Sequence, residues 1–241
     1  MKILALDSTA TVASVAVCDS TKPIALYTIN NGNTHSETLL PMVEAAMKHS
    51  KISTDEIELF AVSNGPGSFT GVRIGSATVK GLAFGRNVPC VDVSTLEALA
   101  FNLMGFDGII CPVMNARRNQ VYNALFRWSD GELVRICEDR AISIEDLENE
   151  LLGTNEKIYL VGDGYDITLN GFSKIIPSFT PDALRSQNAY SVAMCALKAY
   201  KNGLSKTDEK LAPTYLRLSQ AERERNAREQ ANKQEKGDKN E

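Results

Sequence analysis

Histidine is almost missing from this 241-residue chain: only His35 and His49 are present. Fourteen residues apart on one helix, they would stand about 21 Å apart along its axis and could not share a metal. Cysteine offers no alternative. The five cysteines (18, 90, 111, 137 and 195) are odd in number, scattered, and form no Cys-x-x-Cys pair. That pattern fits reduced, buried thiols better than a disulfide framework or a zinc site. A surplus of positive charge is also lacking, since 26 Lys and Arg face 30 Asp and Glu for a net charge of −4. A protein that grips nucleic acid unaided needs clustered, uncompensated cations, so that class is disfavoured. No apolar run is long enough to cross a bilayer, and the apolar start Ile3–Leu6 is cut at Asp7, too early for a signal peptide. The expected location is therefore the cytoplasm, with no membrane partner. Aromatic residues make up only 7%, yet the hydrophobic fraction of 43% is ample for a core and excludes a mainly disordered chain.

The pattern along the chain predicts two compact α/β lobes. Ile3–Leu6, Val12–Cys18 and Ile24–Ile29 read as antiparallel strands joined by the turns Asp7-Ser8-Thr9 and Asp19–Pro23. Thr34-x-x-Glu37 matches a capping box opening a helix to about Ser50, with Leu39, Leu40, Val43, Ala46 and Met47 at helical spacing. A strand at Ile57–Val62, a glycine-rich loop at Asn64–Ser68, a helix at Val72–Phe84, a strand at Val88–Val93 and a helix at Thr95–Leu103 complete a first lobe over 1–106. A smaller second lobe, 107–219, begins the same way: strand Ile109–Met114, polar turn Asn115–Asn119, return strand Val121–Trp128. Asn115 falls where Asp7 falls, which suggests a degenerate internal duplication. A strand at Lys157–Val161 leads into Gly162-Asp163-Gly164, and a helix follows at about Ala189–Tyr200. In the tail, 220–241, twelve of 22 residues are charged, six of each sign. That balance suits a solvated, frayed or disordered segment better than a basic RNA-binding arm.

Asp7-Ser8-Thr9 could offer amides and hydroxyls to a phosphate, or could be an ordinary side-chain-stabilised turn. The stretch Asn64-Gly65-Pro-Gly67-Ser-Phe-Thr-Gly71-Val-Arg-Ile-Gly75 lies in the strand-to-helix context of an anion site. It matches neither the dinucleotide fingerprint nor the P-loop, and Ser68 misses the Gly-x-Ser-x-Gly nucleophile elbow. Glycines that merely permit a tight turn remain the simpler account. Candidate nucleotide or phosphate contacts are Asp7, Ser8, Gly65 and Gly67. The helix behind the loop is apolar on most of its circumference and thinned by glycine, so it needs cover on two sides. Arg117-Arg118 sits in a turn, where two guanidinium forks are either solvated or set to meet a phosphate or a carboxylate.

The glycine stretch Gly65-Pro-Gly-Ser-Phe-Thr-Gly-Val-Arg-Ile-Gly75 resembles that of the TsaB (YeaZ) family. Leu4-Ala-Leu-Asp-Ser-Thr9, His35-Ser-Glu-x-Leu-Leu-Pro41, Ala116-Arg-Arg-x-x-Val-Tyr122 and Pro213-x-Tyr-Leu-Arg217 support it, in order over about 1–219. The resemblance implies the actin/Hsp70/sugar-kinase (ASKHA) fold, with two lobes of duplicated sheet-plus-helix design. It further implies a non-catalytic scaffold subunit needed for threonylcarbamoylation of the adenosine beside the tRNA anticodon. The implied partners are the catalytic subunit TsaD, the ATPase TsaE, and a second copy of the chain when TsaD is absent, with tRNA held mainly through the complex. TsaC would supply the activated threonylcarbamoyl-adenylate.

By the same resemblance, pairing uses the helices near 35–49 and 72–84, placing Leu39, Val43, Met47, Val72, Ile74, Gly75, Val79 and Leu82 at the interface. Ile74→Asp or Gly75→Arg would then break pairing and spare the fold. TsaD carries a His-x-x-x-His metal pair where this chain has Thr95 and Leu99, which cannot replace imidazole ligands. Family members typically have Asp where Asn115 stands. No catalytic residue, metal or required cofactor is expected, although a nucleotide (ATP or ADP) at the subunit junction fits. The competing classes are an actin-fold ATPase or kinase, kept open by Asp7-Ser8-Thr9 and Gly162-Asp-Gly164, a glycoprotease-like hydrolase, and an independent RNA-binding module.

Overall fold

A computed structural model describes residues 1–217; the tail expectation for 220–241 lies outside the described residues. The first sheet has the order β3-β2-β1-β4-β5, built from β1 (Ile3–Asp7), β2 (Ala13–Cys18), β3 (Pro23–Ile29), β4 (Leu59–Ser63) and β5 (Cys90–Val93). β1, β2 and β3 form an antiparallel meander, and β4 and β5 join in parallel. Every residue of β1, β2 and β4 is buried, because helices cover both sheet faces. α1 (His35–Ser50) and α2 (Phe69–Ala83) cover one face, where Leu4, Leu6, Val15, Phe60 and Val62 meet Leu39, Val43 and Val79. The other face takes the small residues Ala189, Val192, Ala193 and Ala196 of α7 (Ala189–Lys201). Although far along the chain, α7 thus packs on the first lobe's sheet.

The second sheet repeats the first with interruptions. β6 (Ile109–Asn115) pairs antiparallel with β7 (Gln120–Asn123) and β8 (Phe126–Ser129), and both keep one register against it. They are the expected return strand, broken at Ala124-Leu125 opposite Pro112 and Cys111. Pro112 has no amide to give the ladder, and buried Asn123 bridges the gap: its Nδ2 donates to the carbonyls of Pro112 and Ala124, both at 3.0 Å. β9 (Glu132–Arg135) and β10 (Arg140–Ser143) pair with β8 and β7 in turn, and β11 (Ile158–Val161) joins β6 in parallel. The meander-plus-parallel-strand plan matches β1 to β4. A single parallel bridge, Tyr159 to Ser178, stands where a fifth strand would add. Asn115 ends β6 as Asp7 ends β1, so the duplication read in the sequence is real. This is the ASKHA fold.

α3 (Thr95–Phe101) is wedged between the lobes, with Leu96 and Leu99 packed on Ile110, Met114 and Phe126. Two expectations are corrected. Thr34 does precede α1, but its side chain accepts no capping bond; its hydroxyl oxygen instead accepts from Ser36. Ile57 closes a short 3-10 turn over Thr54–Glu56 and is not part of a strand. Between Gly131 and Ile158 the structure adds β9, β10 and α4 (Ile144–Leu151), which no sequence expectation covers; α5 (Tyr165–Gly171) and α6 (Asp182–Arg185) follow.

Candidate functional site

The glycine stretch exists to bring the start of α2 onto the β1–β2 turn. A Cβ on Gly71 would stand 1.9 Å from the Ser8 carbonyl oxygen, and one on Gly67 would stand 2.4 Å from that of Thr9. Both are far inside van der Waals contact, so only glycine fits. Ser68 ties the junction: its amide donates to the Thr9 carbonyl at 2.7 Å, and its hydroxyl accepts the Gly71 amide at 3.3 Å as the N-cap of α2.

This packing fixes what the candidate phosphate residues can do. Asp7 is 1% exposed. One carboxylate oxygen accepts the Thr9 amide at 2.9 Å and the Thr9 hydroxyl at 2.7 Å, and the other accepts the Ser63 hydroxyl at 2.6 Å. Burial nonetheless pushes its pKa above the usual carboxylate value, outweighing those bonds. The Ser8 hydroxyl donates to the Gly71 carbonyl at 2.8 Å. Gly65 is capped by the C-terminal segment, the Thr214 carbonyl lying 2.5 Å from where its Cβ would be. Asp7, Ser8 and Gly65 therefore hold the turn and do not line the interlobe cavity. Of the four candidates, only Gly67 lines one.

That cavity, about 670 Å³, opens between the lobes. Thr9, Thr11, Gly67, Ser68 and Thr70 wall it from the first lobe; Asn115, Ala116, Arg117, Arg118, Tyr122 and Asp163 wall it from the second. Arg117, Arg118 and Asn119 all adopt left-handed backbone, with φ of 62°, 55° and 61°. Such runs are costly for residues with side chains, on the order of 1 kcal/mol or more each. The turn is held by Asn115, whose Oδ1 accepts the Arg117 amide at 2.8 Å, and by Arg217, which donates to the Ala116 carbonyl at 3.3 Å and also bonds Gln120. Asp163 sits between two glycines, like Pro66, and Gly162 (φ 114°) repeats the backbone of Gly65 (φ 118°). Loss of solvation in the cleft pushes the Asp163 carboxyl up to about 6, and the charge of Asp7 adds to the rise.

The expected interface set divides. Leu39, Val43, Val72 and Val79 are 0–2% exposed and belong to the lobe's own interior. Gly75 is buried too, its Cβ position 2.7 Å from the Ser8 hydroxyl oxygen; Gly75→Arg would break the fold, contrary to the sequence expectation. Met47, Ile74 and Leu82 are half-buried against the core. To solvent α1 offers Leu40 and Pro41 among Glu37, Glu44 and Lys48, and α2 offers Thr70, Arg73, Ala77, Gly81 and, just past its end, Phe84 at 79% exposure. Sequence periodicity marked the apolar helix correctly but could not tell its inner stripe from its outer one. Thr95 and Leu99 are 0% and 1% exposed within the core. Among the described residues, no three His, Cys, Asp or Glu side chains cluster as metal ligands, and no helix is long and apolar enough to cross a membrane.

The pinning of the C-terminal segment is a feature that the sequence did not declare. Tyr215 stacks on Phe69 with ring centroids 4.7 Å apart, and its hydroxyl accepts from Arg73 Nε at 2.7 Å. Thr214 donates its amide to the Asn64 carbonyl at 2.8 Å. Pro213-x-Tyr-Leu-Arg217 is thereby a strap running from the glycine loop to the arginine turn.

Residues 30–225 match the family model described as "TsaD: tRNA N6-adenosine threonylcarbamoyltransferase". The chain is 33% identical over 162 residues to the tRNA threonylcarbamoyladenosine biosynthesis protein TsaB of Bacillus subtilis, covering 67% of this chain and 71% of that one. It is 32% identical over 152 residues to TsaB of Escherichia coli, covering 62% and 65%. The solved structure titled "YeaZ from Pseudomonas aeruginosa" superposes with a TM-score of 0.77 at 25% identity, covering 89% of this chain and 99% of that one. Sequence and overall structure agree: the chain belongs to the TsaB (YeaZ) family of tRNA threonylcarbamoyladenosine biosynthesis proteins.

Proposed function

We propose that this chain is the non-catalytic scaffold subunit of the threonylcarbamoylation machinery, pairing with the catalytic subunit TsaD through the outer face of α1 and α2. The observation that carries the reading is α2 itself. Its inner stripe fills the first lobe, while its outer stripe presents the small residues Thr70, Ala77 and Gly81 together with Arg73, beside half-buried Ile74 and Leu82. A second helix can approach such a surface closely, and burying it contributes about 25 cal/mol per Å² of apolar area. Pairing would stabilise both subunits by mass action. The same face serves a second copy of this chain when TsaD is absent, and TsaE joins the pair, with tRNA held mainly by the partners in the cytoplasm.

The non-catalytic part of the proposal is supported by Thr95 and Leu99, which give the interlobe core two packed side chains where TsaD has metal-binding histidines. Asp7, with one oxygen taken up by Thr9 in its own turn and the other by Ser63 of β4, is poorly placed for phosphoryl transfer, which disfavours the ATPase or kinase alternative. Reconstitution is the test. The chain alone should neither modify tRNA nor turn over ATP, and TsaD with TsaE and TsaC should modify tRNA only when the chain is added. Modification without it, or ATP turnover by the chain alone that Asp7→Asn abolishes, would refute the scaffold role.

A further inference from the structure

We propose that the C-terminal strap is a clasp: it ties the two lobes together beside the interlobe cleft and sets how far the cleft walls stand apart. The proposal concerns this chain alone and does not rest on the pairing reading. Leu211 to Arg217 belong to no helix or strand, so contacts with the rest of the molecule hold their backbone in place. Those contacts fall on the two lobes in turn.

On the first lobe, Leu211 is 1% exposed and belongs to the core cluster of Leu39, Val43 and Val79. Thr214 is tied twice to Asn64: its amide donates to the Asn64 carbonyl at 2.8 Å, and its hydroxyl accepts from Asn64 Nδ2 at 3.2 Å. Asn64 is itself fixed, since the same Nδ2 donates to Asp92 at 2.8 Å. Tyr215 then stacks on Phe69 and takes the Arg73 bond. One residue later the strap changes lobes. Leu216 packs against the cluster that holds Met114 and Phe126. Arg217 bonds the Ala116 carbonyl and Gln120, and its guanidinium lies 5.9 Å from the centroid of the Tyr122 ring.

The anchors are cleft residues. Phe69 lines the cavity from the first lobe, and Ala116 and Tyr122 line it from the second. No strap residue lines it, so the strap joins the two walls from outside without filling the space between them. Thr214 and Tyr215 are exposed. A tie made of a few surface contacts opens at far lower cost than either lobe unfolds, which is what a reversible clasp requires. Elsewhere the lobes are joined around α3 and α7, where Ser94 donates to Asp139 at 2.5 Å and Lys198 pairs with Glu132 at 2.6 Å. None of these four residues belongs to the cavity wall, so their bonds can hold while the walls part.

The test measures the wall separation directly. Spin labels are carried on non-canonical residues at Thr11 in the first lobe and Asp166 in the second, both exposed, in full-length chain diluted with unlabelled chain. Electron paramagnetic resonance gives the distance distribution in the parent, in Tyr215→Ala, in Arg217→Gln and in the double variant. Each single variant should lengthen and broaden the distribution. The double variant should add less than the sum, because both ends belong to one tie. Lys198→Gln, which cuts a joint away from the cleft wall, should leave the distribution like the parent's. Unchanged distributions in both strap variants, even with a lowered Tm, would overturn the proposal, because the strap would then only add stability. Equal lengthening in Lys198→Gln would overturn it as well.

Discussion

The two lobes are one design executed twice, and they diverge where each has kept a separate task. In the first, β1 and β2 run unbroken, and a fifteen-residue helix closes over their turn through glycines that permit near-contact. In the second, the corresponding strand is interrupted opposite Pro112, and the helix after the equivalent glycine pair is the seven-residue α5. The first lobe spent its turn on packing: Asp7 and Ser8 are buried in bonds to their own neighbours. The second left its turn open, with Arg117 and Arg118 held outward on strained backbone. Equivalent positions in a duplicated fold therefore need not share a role. Asp7 is engaged by Thr9 and Ser63, whereas Arg117 and Arg118 stand exposed at the cleft wall.

The sharpest break of this contrast is at the glycine helix. Gly71→Val should destabilise the chain by about 3 kcal/mol or more, since backbone stands where the side chain must go. Chemical denaturation reads this directly; a change below about 1 kcal/mol would mean that α2 can shift off the turn. In the second lobe, Asn123→Ala should cost about 1–3 kcal/mol, because it strips the Pro112 and Ala124 carbonyls and the Arg140 guanidinium of a buried partner. The loss should register in hydrogen exchange of β6 to β8, with β1 to β4 unchanged.

A smaller effect belongs to Asp163. A carboxyl raised from 3.8 to about 6 holds its proton more tightly when folded, so its contribution to stability is present at low pH and is lost as pH climbs through about 4 to 6. Asp163→Asn should flatten the pH dependence of Tm across that window and leave the acid side nearly unchanged. A parallel downward shift at all pH values would show that the cleft does not perturb Asp163.

The sequence made the first lobe easier to read than the second, for physical reasons. Ile3–Leu6, Val12–Cys18 and the helix over Leu39 to Met47 carry strong local patterns that the tertiary structure only reinforces. The break in the second-lobe return strand arises across the sheet: Pro112 acts on its neighbour in space, so Val121–Trp128 looks continuous by itself. The helix α4 did have a local signal, the cap in which Ser143 Oγ accepts the Asp146 amide at 3.0 Å, but it is short and follows the four-residue strand β10 without a loop. Thr34-x-x-Glu37 shows the reverse, a motif complete in sequence whose capping bond does not form. The interface set was legible as apolar periodicity and not as a surface, since sidedness depends on which stripe the sheet takes. Arg117-Arg118 was visible as a pair; only the cavity and the left-handed turn give it meaning.

Gly81 offers the cleanest test of pairing, because a Cβ there meets nothing within 4 Å among the described residues. The full-length protein with Gly81→Arg should keep the parent's Tm, yet elute apart from TsaD in size-exclusion chromatography with light scattering, where the proposal has the parent co-elute as a heterodimer. Co-elution of the Gly81→Arg protein with undiminished affinity would contradict the account.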